Sequence, residues 1–326
     1  MRTTFADCFT LFLDDGYDVH LLTADLGFKL FDAIREKYPD KFTNVGVAES
    51  NMIGLASGMA ASGVKVFCYS MAPFILFRTL DQIRADLCHP QLPVVLVGVG
   101  GGLHYAMEGM THHAIEDIAI ARALPGLTVM APGDPIECEV LLKKTLTLEG
   151  PCYVRLCGND NPVIYQDSQL PEFGKISCLQ SDGDIAIIAN GEMLVCAKKV
   201  VEELKEEGLI CRLYSIHTLK PIDSGTIKRI AGECNLIITL EEHSLINGIG
   251  TAISEILFSS GYQGKFRKFG IPDEYAKVLG DKEWLRDYYG LTAKKIGSEI
   301  RKTLEKSSRK TTSIYTTHNV EAMYGL

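Results

Sequence analysis

The chain has 326 residues, 46% of them hydrophobic and 23% charged, values typical of a soluble globular protein of about two domains. Its 33 Lys and Arg against 41 Asp and Glu give a formal net charge of −8, which argues against nucleic acid or an anionic membrane as a partner. The 10 cysteines lack CxxC spacing and no apolar run approaches the ~20 residues of a membrane span, so we expect a cytoplasmic protein with free thiols.

Short β-branched runs alternate with longer helical patterns through residues 1–160. This alternation predicts parallel α/β units, and the apolar run 94–97 predicts a central strand covered on both faces. The predicted helices are Thr4–Leu13, Lys29–Lys37, Ser50–Ala61, Ile75–Leu87, Ile115–Ala123 and Pro135–Leu146. The predicted strands are Val19–Leu22, Thr43–Val47, Val64–Cys68, Pro93–Val99, Leu127–Ala131 and Cys152–Leu156.

Residues 161–182 are rich in polar residues and proline and predict a linker, after which the α/β pattern restarts over 183–306. We therefore expect an α/β protein of two doubly wound domains: a larger, mostly parallel-sheet domain over 1–160 and a smaller C-terminal domain. Residues 307–326 are polar and unpatterned, and we expect a mobile tail. The predicted elements after the linker are strands at Asp184–Ala189, Ile210–Ser215 and Leu236–Leu240 and helices at Met193–Glu206, Ile246–Leu257 and Leu291–Leu304.

Glu49 lies where a predicted strand ends and a helix begins. A carboxylate in the first helical turn is ordinary helix-start chemistry, and local features alone favour that structural interpretation. The small and apolar flanking residues, however, would desolvate the carboxylate, which suits proton donation to a buried ligand nitrogen.

Phe74 and Phe77 lie one helical turn apart after another predicted strand. Packing in the core is the commoner role of paired aromatic residues. The alternative is a flat wall on which a heteroaromatic ring stacks.

The glycine-rich segment 98–113 follows the central strand, where α/β folds usually bind ligands. It lacks GxxxxGK[ST], so it does not predict a P-loop. His104, His112 and His113 with Glu108 fit no zinc spacing, and we predict no metal site in this chain. One or two histidines placed for proton transfer or substrate binding are the better interpretation.

These segments, in this order and at these distances, resemble the pyrimidine-binding half of transketolases and deoxyxylulose-phosphate synthases. Any one motif is weakly specific, whereas the ordered set is strongly specific and covers the chain up to about Lys306. Further matching strings in the first domain and the C-terminal domain are Ala131-Pro132-Gly133-Asp134, Leu240-Glu241-Glu242-His243-Ser244 and Gly270-Ile271-Pro272-Asp273.

The resemblance implies thiamine diphosphate as the cofactor. Glu49 matches the catalytic glutamate that hydrogen-bonds the aminopyrimidine ring nitrogen N1′. Phe74 matches the aromatic residue stacked on that ring, and Phe77 matches its supporting neighbour. Asp25 matches an aspartate near the thiazolium. His112 matches a catalytic histidine that contacts the substrate.

The resemblance also implies residues that bind the substrate. Glu108 stands where transketolases typically carry an aspartate that contacts a substrate hydroxyl, and Arg2 matches an arginine that grips the substrate phosphate. The second phosphate-gripping arginine of the family falls near Gly158, with Arg155 a few residues too early. Lys29 is the candidate substitute.

Full-length relatives hold the diphosphate and Mg²⁺ through a Gly-Asp-Gly motif, which is absent from this sequence. The resemblance therefore implies the C-terminal subunit of a split transketolase, transferring a two-carbon ketol unit from a ketose or its phosphate to an aldose. It also implies an N-terminal partner subunit that holds the diphosphate and Mg²⁺ in an α₂β₂ assembly.

Three alternatives stay open. A deoxyxylulose-phosphate-synthase-like subunit and a 2-oxo-acid dehydrogenase beta-type subunit use the same cofactor, and the aromatic pair and the string at 108–112 favour transketolase or synthase. The third alternative is a non-catalytic scaffold subunit, against which the intact Glu49 argues.

Overall fold

The computed structural model describes residues 1–158, 161–165 and 170–305, and the expected tail at 307–326 lies outside them. The helices of the first domain are α1 (Arg2–Asp14), α2 (Asp32–Lys37), α3 (Glu49–Ala61), α4 (Ala72–Leu76), α5 (Leu80–Gln82), α6 (Asp117–Ala123) and α7 (Pro135–Thr145). Its strands are β1 (Val19–Thr23), β2 (Phe42–Asn44), β3 (Lys65–Met71), β4 (Val94–Val99), β5 (Thr128–Met130) and β6 (Cys152–Leu156).

The remaining elements follow residue 170. The strands are β7 (Ser177–Gln180), β8 (Ile185–Ala189), β9 (Cys211–Ser215), β10 (Thr218–Lys220), β11 (Leu236–Ser244) and β12 (Lys265–Ile271). The helices are α8 (Met193–Glu206), α9 (Ser224–Glu233), α10 (Ile249–Ser259), α11 (Lys282–Tyr288) and α12 (293–305).

The strands form two mostly parallel sheets, which confirms the predicted fold class. The seven-stranded sheet has the order β10-β5-β6-β4-β3-β1-β2, and the five-stranded sheet has the order β12-β11-β8-β9-β7. All residues of β4 are buried. Val94 and Leu96 pack into one apolar cluster and Val95 and Val97 into another, so both faces of the central strand are covered, as its unbroken apolar run predicts.

Two short edge strands complicate the boundary between the domains. Strand β7 lies inside the segment expected to be a linker and pairs antiparallel with β9. Strand β10 lies beyond that segment, yet it pairs antiparallel with β5 and so completes the first sheet. One apolar cluster also contains residues of both sheets, among them Val129 and Ile188. The two domains are therefore joined by β10, which follows the linker in sequence but lies in the first sheet, and by an apolar cluster common to both sheets.

No helix among the described residues is long and apolar enough to cross a membrane.

A buried carboxyl at Glu137 ties the two domains together. Glu137 accepts hydrogen bonds from the Gly133 N–H, the Tyr165 hydroxyl and the Ser215 hydroxyl, so α7, the connecting segment and β9 meet at one side chain. Burial raises the pKa of Glu137 to about 7, because the donated hydrogen bonds only partly offset the cost of desolvating its charge.

This raised pKa predicts how Glu137→Gln changes the pH dependence of stability. Between the ordinary pKa of 4.5 and the raised value of about 7, the native state holds a proton that the unfolded chain has released. Wild-type stability therefore falls with rising pH in that window, and the neutral variant lacks this contribution of roughly 2–3 kcal/mol. Urea unfolding of both proteins at pH 5 and pH 8 measures the difference. Parallel pH profiles would contradict the assignment.

Candidate functional site

Most of the predicted site residues lie along one edge of the first sheet. Because β1, β2, β3, β4 and β6 are parallel, their carboxyl ends meet at this edge, where α/β folds bind ligands. Asp25 follows β1, Glu49 begins the helix after β2, and Phe74 lies in the helix after β3. Residues 100–114, which follow β4 and carry Glu108 and His112, are called the site loop below.

Glu49 is the first residue of α3, and only 4% of its surface is exposed. Its Oε1 accepts a 3.3 Å hydrogen bond from Ser70 at the end of β3, and its Oε2 accepts one of 3.3 Å from Arg78. The Arg78 side chain is half exposed. The N-terminus of α3 favours the negative charge at this position. The structure thus places a nearly buried carboxylate beside an accessible cation.

The ring of Phe74 is the flat wall beside Glu49. The central guanidinium carbon of Arg78 lies 3.9 Å from the centroid of the Phe74 ring. A planar group bearing N–H donors therefore lies over the Phe74 ring while it donates to Glu49. This arrangement fits an aminopyrimidine, which is also flat and would offer a protonated ring nitrogen to the same carboxylate. Phe77 is partly buried and packs against the core.

Aromatic and imidazole rings continue the site from Phe74 along the site loop. The centroid of the Phe74 ring lies 5.1 Å from that of His112, with the two rings edge to face. The Tyr105 ring lies 6.3 Å from His112 and 5.0 Å from His104. The Nδ1 atom of His112 is 3.0 Å from the Thr111 hydroxyl. Successive ring contacts therefore form a row from Phe74 through His112 and Tyr105 to His104.

The other predicted site residues make no hydrogen bond, ion pair or ring contact with Glu49 or Phe74 within the described part of the chain. Arg2 donates from Nε to the hydroxyl of Tyr69, 3.1 Å away at the end of β3, and burial raises the pKa of Tyr69 to about 12. Glu108 is exposed in a 3-10 turn of the site loop. Asp25 is exposed and bonded to Asn44, and Lys29 is exposed on the same segment.

No hydrogen bond or ion pair within the described ranges joins Asp25 or Lys29 to Glu49 or His112. The same part of the chain contains no group of three or more His, Cys, Asp or Glu side chains that could hold a metal ion. The structure therefore brings Glu49, Phe74 and His112 together and leaves Asp25 and Lys29 exposed and unbonded to Glu49 and His112.

Arg155 and Gly158 do not present a cation to this edge. Arg155 is fully buried and donates from Nε to Asp117 at 2.8 Å. A Cβ atom at position 158 would lie 2.5 Å from the His104 ring. His104 therefore fills the space into which a side chain at position 158 would extend, and burial lowers the pKa of this imidazole.

Sequence reasoning missed Arg78, Tyr69 and Tyr105. Arg78 had one usable signal, because it lies four residues after Phe74 and so projects from the same side of a helical segment. Tyr69 and Tyr105 had none, because their positions depend on which strands are neighbours and on the path of the site loop.

Comparisons with known proteins give a consistent result. Residues 1–161 match the family model of the transketolase pyrimidine binding domain, and residues 174–296 match that of the transketolase C-terminal domain. A Clostridium sp. (strain MSTE9) protein, the 6-deoxy-6-sulfo-D-fructose transketolase subunit SqwH, is 33% identical over 95% of each chain.

Two further relatives extend the comparison. The 1-deoxy-D-xylulose-5-phosphate synthase of Heliobacterium modesticaldum is 34% identical over 85% of this chain and 42% of its own length. A solved structure described as a split gene transketolase, inactive beta4 tetramer, superposes with a TM-score of 0.84 at 31% identity, over 93% of this chain and 98% of that one. Both halves of the chain match transketolase domain models, and its fold matches that of a split gene transketolase. The protein therefore belongs to the transketolase family.

Proposed function

We propose that this chain is the C-terminal subunit of a split transketolase and that it transfers a two-carbon ketol unit from a ketose or ketose phosphate to an aldose. The observation that carries the proposal is the Arg78 guanidinium, whose central carbon lies 3.9 Å from the centroid of the Phe74 ring while the group is bonded to Glu49. It supports a slot for a planar nitrogen heterocycle at the sheet edge.

In this proposal Glu49 and Phe74 hold the aminopyrimidine of thiamine diphosphate. Glu49 binds the ring nitrogen and keeps a proton at that position, and Phe74 fixes the plane of the ring. Phe77 supports the helix that carries Phe74, since it packs against the core. The cofactor, when bound, supplies the nucleophile and the electron sink that ketol transfer requires.

The row of rings beyond Phe74 is the proposed substrate side. His112 contacts Phe74 edge to face and is assigned to exchange a proton with a bound sugar, and Glu108 on the same loop is assigned to hydroxyl recognition. Arg2 and Lys29 offer positive charge for an anionic sugar, and Asp25 is assigned to the thiazolium side.

The diphosphate and Mg²⁺ are assigned to an N-terminal partner subunit in an α₂β₂ complex. The matched domains support this division, because they are the pyrimidine-binding and C-terminal domains of the family. We place the complex in the cytoplasm, since all 10 cysteines are free thiols.

A deoxyxylulose-phosphate-synthase-like reaction is the second candidate, favoured by 34% identity to such a synthase. In the test, this chain is mixed with three components: the partner polypeptide that contains the Gly-Asp-Gly motif, added thiamine diphosphate and added Mg²⁺. Ketose phosphate plus aldose is one substrate set, and pyruvate plus aldehyde is the other. Ketol transfer from the ketose supports the proposal. If product forms only with pyruvate plus aldehyde, the second candidate replaces the proposed function. Full turnover by this chain without the partner polypeptide would contradict the proposal of a split enzyme.

Arg78 gives a prediction about cofactor affinity. Because its guanidinium fills the slot, the cofactor must displace one cation–π contact and one partly exposed ion pair. We expect Arg78→Ala to tighten thiamine diphosphate binding to the mixed complex by roughly threefold to tenfold, as measured by calorimetry. Arg84→Ala is the matched control, since Arg84 pairs with exposed Asp81. Weaker binding by Arg78→Ala would mean that Arg78 holds the cofactor rather than competing with it.

A further inference from the structure

The site loop is closed at its stem by backbone hydrogen bonds. Gly102 and Ala114 exchange two bonds of 2.9 Å, and Gly100 donates to the Leu156 carbonyl at 2.9 Å. Glu108 and His112 lie within the arc that this bridge closes. Residues 100–103 and 114 are called the stem of the site loop. The placement of Glu108 and His112 at the sheet edge therefore depends on the contacts that fix this stem.

The C-terminal domain reaches this stem through β11. The pairing of β11 with β12 shifts register between Leu240 and Ser244, and residues of this stretch bond to the first domain. Glu242 is 3% exposed, and its Oε1 accepts a 2.6 Å hydrogen bond from the backbone N–H of Leu103. The Ser244 N–H donates to the Ile115 carbonyl at 2.7 Å. Leu103, near the start of the site loop, and Ile115, just after its end, are thus bonded to one strand of the other domain.

Arg286 on α11 holds the Glu242 carboxylate in place. Its Nε donates to Glu242 Oε2 at 2.6 Å, and its Nη1 donates to Glu283 at 2.9 Å. Burial opposes the charge on Glu242, but Arg286 and the Leu103 N–H outweigh it, so the pKa of Glu242 lies below its ordinary value. The carboxylate is therefore ionised at neutral pH and makes charge-assisted bonds.

The glycines of the stem make this approach possible. A Cβ atom at Gly102 would lie 2.7 Å from Glu242 Oε1, and one at Gly101 would lie 2.5 Å from Arg155 Nε. Gly102 also has a φ of +67°, which disfavours other residues. Arg155 adds a second tie, because its Nη2 donates to both the Ala114 and the Glu242 carbonyls. The sequence at the stem is thus suited to contact with these buried charges.

We propose that Glu242 and Arg286 are positioning residues: through the Leu103 N–H they set the place of Glu108 and His112, so the C-terminal domain controls sugar binding without touching the sugar. The effect on sugar binding rests on the proposed function. The effect on the loop does not.

The first experiment is hydrogen–deuterium exchange on the full chain with Glu242→Gln. The variant keeps the size of the side chain but loses a charge-assisted bond, and we expect exchange over 103–113 to rise roughly tenfold or more. Glu283→Gln is the matched control: it removes another partner of Arg286, is 73% exposed and does not bond to the site loop. Arg286→Lys serves as a second variant if Glu242→Gln fails to fold. Unchanged exchange at 103–113, or a rise spread evenly over the chain, would overturn the proposal.

The second experiment measures the mixed complex. We expect kcat/KM for the sugar to fall roughly tenfold in Glu242→Gln, with thiamine diphosphate affinity within about twofold of wild type. Equal losses of sugar turnover and cofactor affinity would show a merely structural role. An inactive wild-type complex together with loosened loop exchange would refute the proposed function and leave the positioning role supported.

Discussion

Glu49→Gln is expected to lower ketol transfer by the mixed complex by about 10²–10⁴-fold, the range that a positioned acid–base group contributes. The amide keeps the shape of the carboxylate but cannot hold the same proton against a ring nitrogen. Because the two hydrogen bonds that Glu49 accepts, from Ser70 and from half-exposed Arg78, are both long at 3.3 Å, the fold should be unaffected. Turnover is measured at saturating cofactor, and circular dichroism of the variant checks that its fold is intact.

Asp81→Asn is the control for this variant. Asp81 is also an acidic residue in the first turn of a helix and is also paired with an arginine, but its side chain is 87% exposed. We expect it to keep wild-type activity. If Glu49→Gln were as active as Asp81→Asn, Glu49 would have no part in the chemistry, and the slot beside Phe74 would have to serve another purpose.

Among the variants considered, Asp117→Asn is expected to cause the largest loss in free energy of unfolding. Asp117 is fully buried at the start of α6 and accepts hydrogen bonds of 2.8 Å from both Arg155 and Tyr153. Removing its charge leaves the buried Arg155 guanidinium uncompensated, which costs about 3–5 kcal/mol. Native proteins are stable by only about 5–15 kcal/mol, so the urea midpoint should drop sharply.

Asp32→Asn provides the comparison for that loss. Asp32 pairs with Arg35 at 3.4 Å, but both side chains are about half exposed. An exposed pair contributes about 0.2–1 kcal/mol, so this variant should unfold close to wild type. Equal midpoints for the two variants would mean that the Asp117–Arg155 pair does not hold the core as its burial indicates.

The central part of the fold follows from local pattern. The run 94–97 is apolar without alternation, and this alone predicts a strand buried on both faces, which β4 is. The edge strand β10 is different: Thr218-Leu219-Lys220 has one apolar residue and no strand pattern. Its pairing with β5 is a tertiary contact between distant segments, which a local pattern does not contain.

The candidate site divides in the same way. The start of α3 and the end of β3 are local features, so the residue pattern marks Glu49 and Phe74 as candidates, whereas the roles assigned to them follow from the family resemblance. The Arg78–Glu49 contact joins residues 29 positions apart, and the Glu242–Leu103 bond joins residues 139 apart. Such pairs depend on strand order and interdomain packing, which a local pattern does not contain; the spacing of Arg78 from Phe74 indicates only that these two side chains are neighbours.

Calorimetric titration of thiamine diphosphate with Mg²⁺ is the sharpest test of whether Glu49 forms half of a cofactor site shared by two chains. It uses three samples: this chain alone, its Gly-Asp-Gly partner alone and the two mixed. We predict saturable binding at one cofactor per chain pair in the mixture, loss of most of that affinity with Glu49→Gln, and no tight binding to this chain alone. Equally tight binding to this chain alone, or affinity in the mixture that Glu49→Gln leaves unchanged, would contradict the shared site.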